Sequence, residues 1–150
     1  MSQIFFFVYG TLCRGQCRQH CWPKTPDWIA SAWVRGTLFG RQDYPSLRPG
    51  DDRVLGECWA FPESDSESVL NVLDAIEGTN QPGQPNLYDR VQMEVHLLET
   101  PSWRPGSQAR PPPTDSVAAF GYHYATDPTE DGFRPMHPDS TGVVRWPAIL

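Results

Sequence analysis

The sequence predicts an α+β domain in which a curved or barrel-like sheet packs against one helix. Several segments carry the unbroken or alternating apolar pattern of strands, whereas a single segment carries a strong helical pattern. The 150 residues include 12 glycines and 16 prolines, and 20% are charged, which is typical of a compact fold with many loops. We expect a chain of this length to form one domain over residues 1–150.

The chain begins with an unbroken apolar run, residues 4–8, which predicts a strand buried on both faces. The run ends in the segment Tyr9-Gly10-Thr11-Leu12. A buried strand that opens into a glycine turn leaves main-chain N–H groups unpaired, and such groups bind a carboxylate or a developing oxyanion. The turn is therefore a candidate anion site, although a glycine turn that only ends a strand explains the residues equally well.

Further strands are predicted from alternating apolar residues, at about residues 32–39, 53–61, 88–98 and 117–125. A polar, arginine-rich connection, residues 13–26, separates the first strand from the second. The second and third strands are separated by turn-forming residues at 44–46 and 49–52.

One helix is predicted between an N-terminal cap at residues 64–66 and a stop at Gly78. Ser64, Asp65 and Ser66 are candidate capping residues, and Glu67 follows in the first turn, where the helix dipole favours a negative charge. The apolar residues recur at helical spacing, as expected for a helix with one buried face: Val69, Val72, Leu73 and Ile76.

Two long segments are expected to be irregular. Residues 100–115 contain five prolines and few apolar residues, which indicates an exposed, mobile loop. The polyproline run 111–113 fits a ligand for an SH3 or WW module, but a solvated loop is the simpler interpretation. The tail, residues 127–150, is expected to be loop-like, with Trp146 and Ile149 docking on the rest of the domain.

The formal net charge of −6 argues against a nucleic-acid or anionic-membrane partner. No apolar run is long enough to cross a bilayer, and the N-terminal run lacks the basic region and the length of a signal peptide. We therefore expect a cytoplasmic protein with free thiols. The spacing of the cysteines, even with His20 nearby, does not match a zinc site. These cysteines are Cys13, Cys17, Cys21 and Cys58.

Glu77 is the most unusual residue on physical grounds. It lies in the last helical turn, where the helix dipole disfavours a negative charge, and Asp74 adds a like charge nearby. Leu73 and Ile76 indicate partial burial, so three effects are expected to raise the pKa of Glu77. A carboxyl group of raised pKa suits a general acid or base. An exposed carboxylate at a helix end is the simpler reading, and these residues alone favour it.

Strand residues supply further candidates for a site. Tyr88 and Arg90 lie at the start of the strand after the helix, and Arg90 is expected to pair with either Asp74 or a substrate carboxylate. The four histidines show no ligand-like grouping, and we assign them no catalytic role. Further tyrosines either line a pocket or belong to the core, which is the commoner role of aromatic strand residues: Tyr44, Tyr122 and Tyr124.

Taken in order, the motifs resemble those of the gamma-glutamylcyclotransferase-like superfamily, in particular its gamma-glutamylamine cyclotransferase branch. The resemblance covers about residues 4–125 and is carried by the order and spacing of short motifs. They are Tyr9-Gly10-Thr11-Leu12, Arg14-Gly15-Gln16, Gly36-Thr37-Leu38, Tyr44-Pro45-Ser46-Leu47, Val54-Leu55-Gly56-Glu57, Leu73-Asp74-Ala75-Ile76-Glu77-Gly78 and Tyr88-Asp89-Arg90, followed by Val95.

The resemblance implies a small mixed β-barrel with helices at its side. It implies that the turn at 9–12 binds the γ-glutamyl moiety of a substrate through main-chain amides and that Glu77 accepts a proton. The implied reaction acts on a small γ-glutamyl amine or γ-glutamyl amino acid, whose own α-amino group attacks the γ-carbonyl. It releases 5-oxoproline and a free amine without a metal or an organic cofactor. The remaining candidate substrate-binding residues are Tyr44, Tyr88, Arg90 and Tyr122.

Two other functions are compatible with the sequence: a non-catalytic domain that binds a metabolite or partner, and a related acyl transfer or hydrolysis in the same pocket. Glu77 beside an intact turn at 9–12 favours the enzyme, since a binding module has no need of a destabilised carboxylate. Three departures from the family pattern bear on the leaving amine, which is not predicted. They are the long insertion between Gly78 and Tyr88, Cys13 in place of a basic residue, and the unmatched proline-rich loop at 100–115 with the tail. The oligomeric state is not predicted either.

Overall fold

A computed structural model describes residues 2–99 and 116–147, together with the main chain of residues 102–103. One α-helix, α1, spans Ser66–Glu77. Short 3-10 helices lie at Gln19–Cys21, Glu63–Asp65 and Pro128–Asp131. The strands are β1 (Gln3–Val8), β2 (Trp28–Gly40), β3 (Pro45–Pro62), β4 (Tyr88–Leu97), β5 (Ser102–Trp103), β6 (Ser116–Tyr124), β7 (Arg134–Pro135) and β8 (Val143–Val144).

Five strands close into a barrel in the order β2–β4–β6–β1–β3, with β3 pairing again with β2. The contact between β1 and β6 is parallel, and the other four contacts are antiparallel. The short strands β5 and β7 pair antiparallel with β2, and β8 pairs parallel with β3. The prediction of an α+β fold built on a small mixed barrel with a flanking helix is confirmed.

Strand β1 is buried on both of its faces, as its unbroken apolar sequence predicts. Phe7 belongs to a core cluster inside the barrel, together with Val34 and Leu38 of β2. Phe6 and Val8 belong to a second cluster, which covers the outer face of the barrel where α1 packs. The end of β1 therefore emerges between two packed layers, so the turn that follows it is held firmly in place.

Helix α1 packs on the barrel through Val69 and Leu73, which are fully buried in the second cluster. Asp65 directly precedes the helix, but its side chain makes no capping hydrogen bond. Asp65, one of the three candidate residues, therefore stands at the capping position without the capping bond, because a 3-10 turn leads into α1 and Asp65 itself has helical backbone angles. The end of the helix at Gly78 is as predicted.

Strands β2 and β3 are longer than the sequence patterns indicate. Their pairing runs from Trp28 opposite Ala60 to Gly40 opposite Pro45. The turn-forming residues at 49–51 do not separate two strands, because they bulge out of one long strand where the register shifts beside Gly36. The pairing on either side of the bulge is what keeps β3 continuous.

The tail is more regular than predicted, because a 3-10 helix and the strands β7 and β8 lie within it. The Trp146 indole N–H donates a 3.0 Å hydrogen bond to the carbonyl of Arg41, so Trp146 docks as expected. Ile149 and the loop expected at 100–115, apart from β5, lie outside the described residues. No helix in the described part of the chain is long and apolar enough to span a membrane.

Candidate active site

A cavity opens where β1 ends, between the turn that follows β1, the C-terminal end of α1 and the start of β4. Its volume is about 100 Å³, enough for a few water molecules or a small substrate group. The walls come from the segments 7–12, 44–45, 76–77 and 87–88, together with Arg18 and Tyr122. Segments that are far apart in the sequence thus meet at one small cleft.

The turn after β1 requires glycine at its second position. A Cβ added to Gly10 would lie 2.7 Å from both Cγ and Cδ of Pro45, closer than such atoms approach in proteins. Because Pro45 also lines the cavity, this contact sets the distance between the turn and the beginning of β3.

The carbonyl groups of the turn are bonded to the segment that follows it. Thr11 accepts a 2.8 Å hydrogen bond from the Arg18 N–H, and Leu12 accepts one of 3.0 Å from the Trp22 indole. Within the described part of the chain, no acceptor lies on the main-chain N–H groups of Gly10, Thr11 and Leu12. These three N–H groups are therefore left without a partner among the described residues, which is what an anion site would require.

Glu77 is the last residue of α1, and the bonds that follow it hold its side chain in the cavity wall. Gly78 adopts the left-handed conformation, with φ of 67°, and so ends the helix. Leu87 then donates a 3.0 Å main-chain hydrogen bond back to Gly78, and the Thr79 hydroxyl donates one to the carbonyl of Tyr88. These contacts join the helix end to the start of β4.

Burial raises the pKa of Glu77 to about 7, and the nearby charge of Arg18 acts in the opposite direction. Asp74 does not add the repulsion that the sequence suggested. Its carboxylate forms an ion pair with Arg90 and accepts a 2.7 Å hydrogen bond from the Tyr122 hydroxyl, so its charge is already compensated. The desolvation of Glu77 is therefore the main cause of its raised pKa.

Three tyrosines of the cavity have hydroxyl groups with fixed partners. Tyr9 donates to the carbonyl of Tyr122 at 2.8 Å, and Tyr88 donates to the carbonyl of Pro45 at 2.7 Å. Tyr122 donates to Asp74. These bonds link the segment after β1 with β3, β4, β6 and α1 around the cavity.

The same tyrosines are neutral at physiological pH. Burial raises the pKa of Tyr9, Tyr88 and Tyr122 well above its usual value, and the negative charge of Glu77 adds to the effect in all three. The three tyrosines therefore keep their protons near neutral pH, in the range where Glu77 titrates.

The structure brings together eight of the nine residues that sequence analysis singled out. They are Glu77, Tyr9, Gly10, Thr11, Leu12, Tyr44, Tyr88 and Tyr122. Arg90 does not line the cavity, and its role as a substrate-binding residue stays a prediction. Its guanidinium pairs with Asp74 of α1 and lies 5.5 Å from the centre of the Phe120 ring.

Sequence analysis missed Arg18, which lines the cavity and influences the pKa of Glu77. It lies in the polar connection between β1 and β2, where two arginines occur, Arg14 and Arg18, and no periodicity distinguishes one from the other. Only the path of this connection, which returns to the turn through the bond to Thr11, brings Arg18 to the cavity.

The four cysteines are free thiols, as predicted. Cys58 is buried inside the barrel, which raises its pKa to about 12, whereas Cys17 is exposed. In the described residues, no group of three or more His, Cys, Asp or Glu side chains is arranged to hold a metal ion.

Solved structures with the same fold come from several organisms. The crystal structure of an AIG2-like protein from Mus musculus is 27% identical, with a TM-score of 0.63, and the match covers 100% of this chain and 99% of that one. A solution structure from Arabidopsis thaliana is 22% identical, with a TM-score of 0.56 and coverage of 86% and 74%.

A yeast structure described as a gamma-glutamyl cyclotransferase specific to glutathione is 13% identical, with a TM-score of 0.53 and coverage of 83% and 69%. At that identity the likeness concerns the fold alone. Among curated proteins, none matches this chain significantly. The family model described as "Gamma-glutamyl cyclotransferase, AIG2-like" matches residues 6–139, and the chain belongs to that family.

Proposed function

We propose that this protein cyclises a small γ-glutamyl amine or γ-glutamyl amino acid to 5-oxoproline, with Glu77 as the general acid and base. One observation carries the proposal. A buried carboxyl group with a pKa of about 7 shares a small cavity with main-chain donors of the turn at 10–12. The first group suits a proton transfer near neutral pH, and the second suits an anion or a developing oxyanion.

The proposed reaction needs only the substrate and these groups. The α-amino nitrogen of the γ-glutamyl moiety attacks the γ-carbonyl carbon, and a five-membered ring closes as the new C–N bond forms. Glu77 takes a proton from the α-amino nitrogen and returns one to the leaving nitrogen. The original γ-amide C–N bond then breaks, which releases 5-oxoproline and the amine with no net uptake of water.

The cavity contributes in two further ways. Its small volume and bonded tyrosines favour a folded substrate in which the α-amino group approaches the γ-carbonyl. Such orientation lowers the entropic part of the activation free energy of the cyclisation. Main-chain donors of Gly10, Thr11 and Leu12 hold the substrate carboxylate or stabilise the negative charge that develops on the γ-oxygen. General acid–base catalysis typically adds about 10² to 10⁴-fold to the rate.

The test is to incubate the purified protein with γ-glutamyl amines, γ-glutamyl amino acids and glutathione, and to measure 5-oxoproline by mass spectrometry. Glutathione belongs in the panel because a structural relative is described as specific to it. We expect 5-oxoproline from at least one compound, and its loss in Glu77→Gln. Glu67→Gln is the matched control, since Glu67 is an exposed carboxylate in the first turn of the same helix.

The same experiment separates the other two functions. Free glutamate in place of 5-oxoproline would indicate hydrolysis or acyl transfer to water. Saturable binding without any product would indicate a metabolite-binding domain. Either result contradicts the proposed cyclisation.

A further inference from the structure

Arg18 is a charged residue at the mouth of the cavity, in a segment that hydrogen bonds connect to the turn after β1. Its main-chain N–H donates to the Thr11 carbonyl at 2.8 Å. A few residues later Trp22 donates to the carbonyl of Leu12 and stacks on Trp59, with ring centres 4.4 Å apart. The backbone of Arg18 is thus fixed relative to the turn on both sides, although its side chain is exposed.

Within the described part of the chain, the guanidinium of Arg18 has no hydrogen-bonding or ion-pairing partner, unlike those of three other arginines. Arg14 pairs with Glu57 at 2.6 Å, Arg41 pairs with Asp43 at 2.7 Å, and Arg90 pairs with Asp74. Among the residues that the structure describes, none accepts a hydrogen bond from the side chain of Arg18, which nevertheless lines the cavity. A solvated arginine at a cavity mouth is ready to pair with a carboxylate that arrives with a ligand.

We propose that Arg18 is a specificity-determining residue that binds a carboxylate on the leaving part of the substrate. The protein then prefers γ-glutamyl amides of amino acids over γ-glutamyl amides of uncharged amines. This inference rests on the proposed function, because that function defines which part of the substrate leaves.

The burial of Glu77 and the exposure of Arg18 indicate which end of the substrate lies near each residue. Glu77 is buried in the cavity wall and must reach the α-amino group, so the γ-glutamyl head lies inside, near the donors of the turn. Arg18 is exposed, so it faces the end of the substrate that projects toward solvent, and that end is the leaving amine.

The test compares γ-glutamylglycine with γ-glutamylglycinamide, because these substrates have nearly the same shape and differ in one negative charge. We expect wild-type kcat/KM to favour γ-glutamylglycine by about tenfold, the effect of one charge-assisted hydrogen-bonded pair. In Arg18→Gln this preference falls to about one, mainly through a higher KM for γ-glutamylglycine, when both substrates are compared at a pH high enough that Glu77 is deprotonated in both proteins. Arg18→Lys retains part of the preference, because it keeps the charge without the planar fork.

Arg35→Gln is the matched control. It removes the same charge from an exposed arginine of β2 that stacks on Trp33 at 5.1 Å and does not line the cavity. We expect its preference to equal that of the wild type. An equal loss on both substrates in Arg18→Gln would place Arg18 on the γ-glutamyl head and overturn the proposal. An unchanged preference would overturn it too.

Binding to Glu77→Gln, measured by calorimetry, separates this inference from the proposed function. In that background the Kd of γ-glutamylglycine is expected to be about tenfold lower than that of the glycinamide. Adding Arg18→Gln removes the difference. Such binding without 5-oxoproline from the wild type supports the role of Arg18 and contradicts the cyclisation. Product formation with no difference in Kd supports the cyclisation and contradicts the role of Arg18, and absence of binding by either compound contradicts the role of Arg18.

Discussion

The carboxyl group of Glu77 and the guanidinium of Arg18 line the same cavity, and the charge of Arg18 opposes the effect of burial on the pKa of Glu77. Burial raises the pKa of Glu77 to about 7, and the positive charge of Arg18 lowers it. Near neutral pH the carboxyl is therefore populated in both of its forms. It is able to accept a proton and to return it without a large energetic penalty in either direction.

The rate is expected to depend on pH through this group. We predict that kcat/KM for γ-glutamylglycinamide rises through an apparent pKa of about 7, because only the deprotonated Glu77 accepts a proton. In Arg18→Gln the rise moves to higher pH, since the charge that favours the carboxylate is gone. Initial rates of 5-oxoproline release across the pH range measure both curves. A rise that Arg18→Gln leaves in place would belong to the α-amino group of the substrate and would contradict this assignment.

The stability of the fold is expected to depend on the same group. The pKa of Glu77 is about 7 in the folded protein, against an ordinary value of 4.5, so the folded state binds the additional proton between these pH values. The free energy of unfolding therefore falls as the pH rises through this window, by at most about 3 kcal/mol. Water that enters the cavity lined by Glu77 reduces this figure.

Glu77→Gln removes this dependence, because the amide carries no charge at any of these pH values. We predict that the variant is more stable than the wild type above the folded pKa, and that the two converge below pH 4.5. Urea unfolding at several pH values measures the difference, with Glu67→Gln as the control. A variant that is equally destabilised at every pH would show that Glu77 makes a structural bond instead.

Gly10→Ala tests the packing of the turn. The added methyl group would lie 2.7 Å from Pro45, so either the turn or β3 must shift. We predict a loss of about 1–3 kcal/mol in the free energy of unfolding, together with a higher KM. The double variant with Pro45→Ala removes the atoms that the methyl would meet, and it should recover part of both losses. Full activity in Gly10→Ala alone would contradict the geometry described for the turn.

Arg90→Gln tests the sequence-based prediction that Arg90 binds the substrate. Its guanidinium pairs with the partly buried Asp74, and Arg90 does not line the cavity. The variant is therefore expected to lose about 1–3 kcal/mol in the free energy of unfolding. We expect KM to change less than about threefold, which is within ordinary indirect effects. Urea unfolding and steady-state kinetics measure the two quantities. A large increase in KM at unchanged stability would return Arg90 to the list of substrate-binding residues.

Much of the fold follows from local sequence signals. The unbroken run of β1, the helical spacing of Val69 and Leu73, and the stop at Gly78 each act within a few residues, and each is found where predicted. The bulge in β3 was not predictable in this way. Turn-forming residues at 49–51 are compatible with either a turn or a bulge, and the long pairing of β2 with β3 decides between them.

The candidate site divides along the same line. Glu77 was identifiable because an acidic residue at the end of a helix breaks a local electrostatic preference. Its burial, however, and the compensation of Asp74 by Arg90 and Tyr122 depend on strands distant in sequence. Arg18 was not identifiable, because its place at the cavity comes from the path of an irregular connection and from no pattern in its neighbourhood.

The most direct test is the mass of the product released from a γ-glutamyl compound by the wild type and by Glu77→Gln. The wild type is expected to release 5-oxoproline and the amine in equal amounts. The variant is expected to lose this activity by about 10² to 10⁴-fold while it remains folded. Wild-type levels of 5-oxoproline from a folded Glu77→Gln protein would contradict the central role of this carboxyl group.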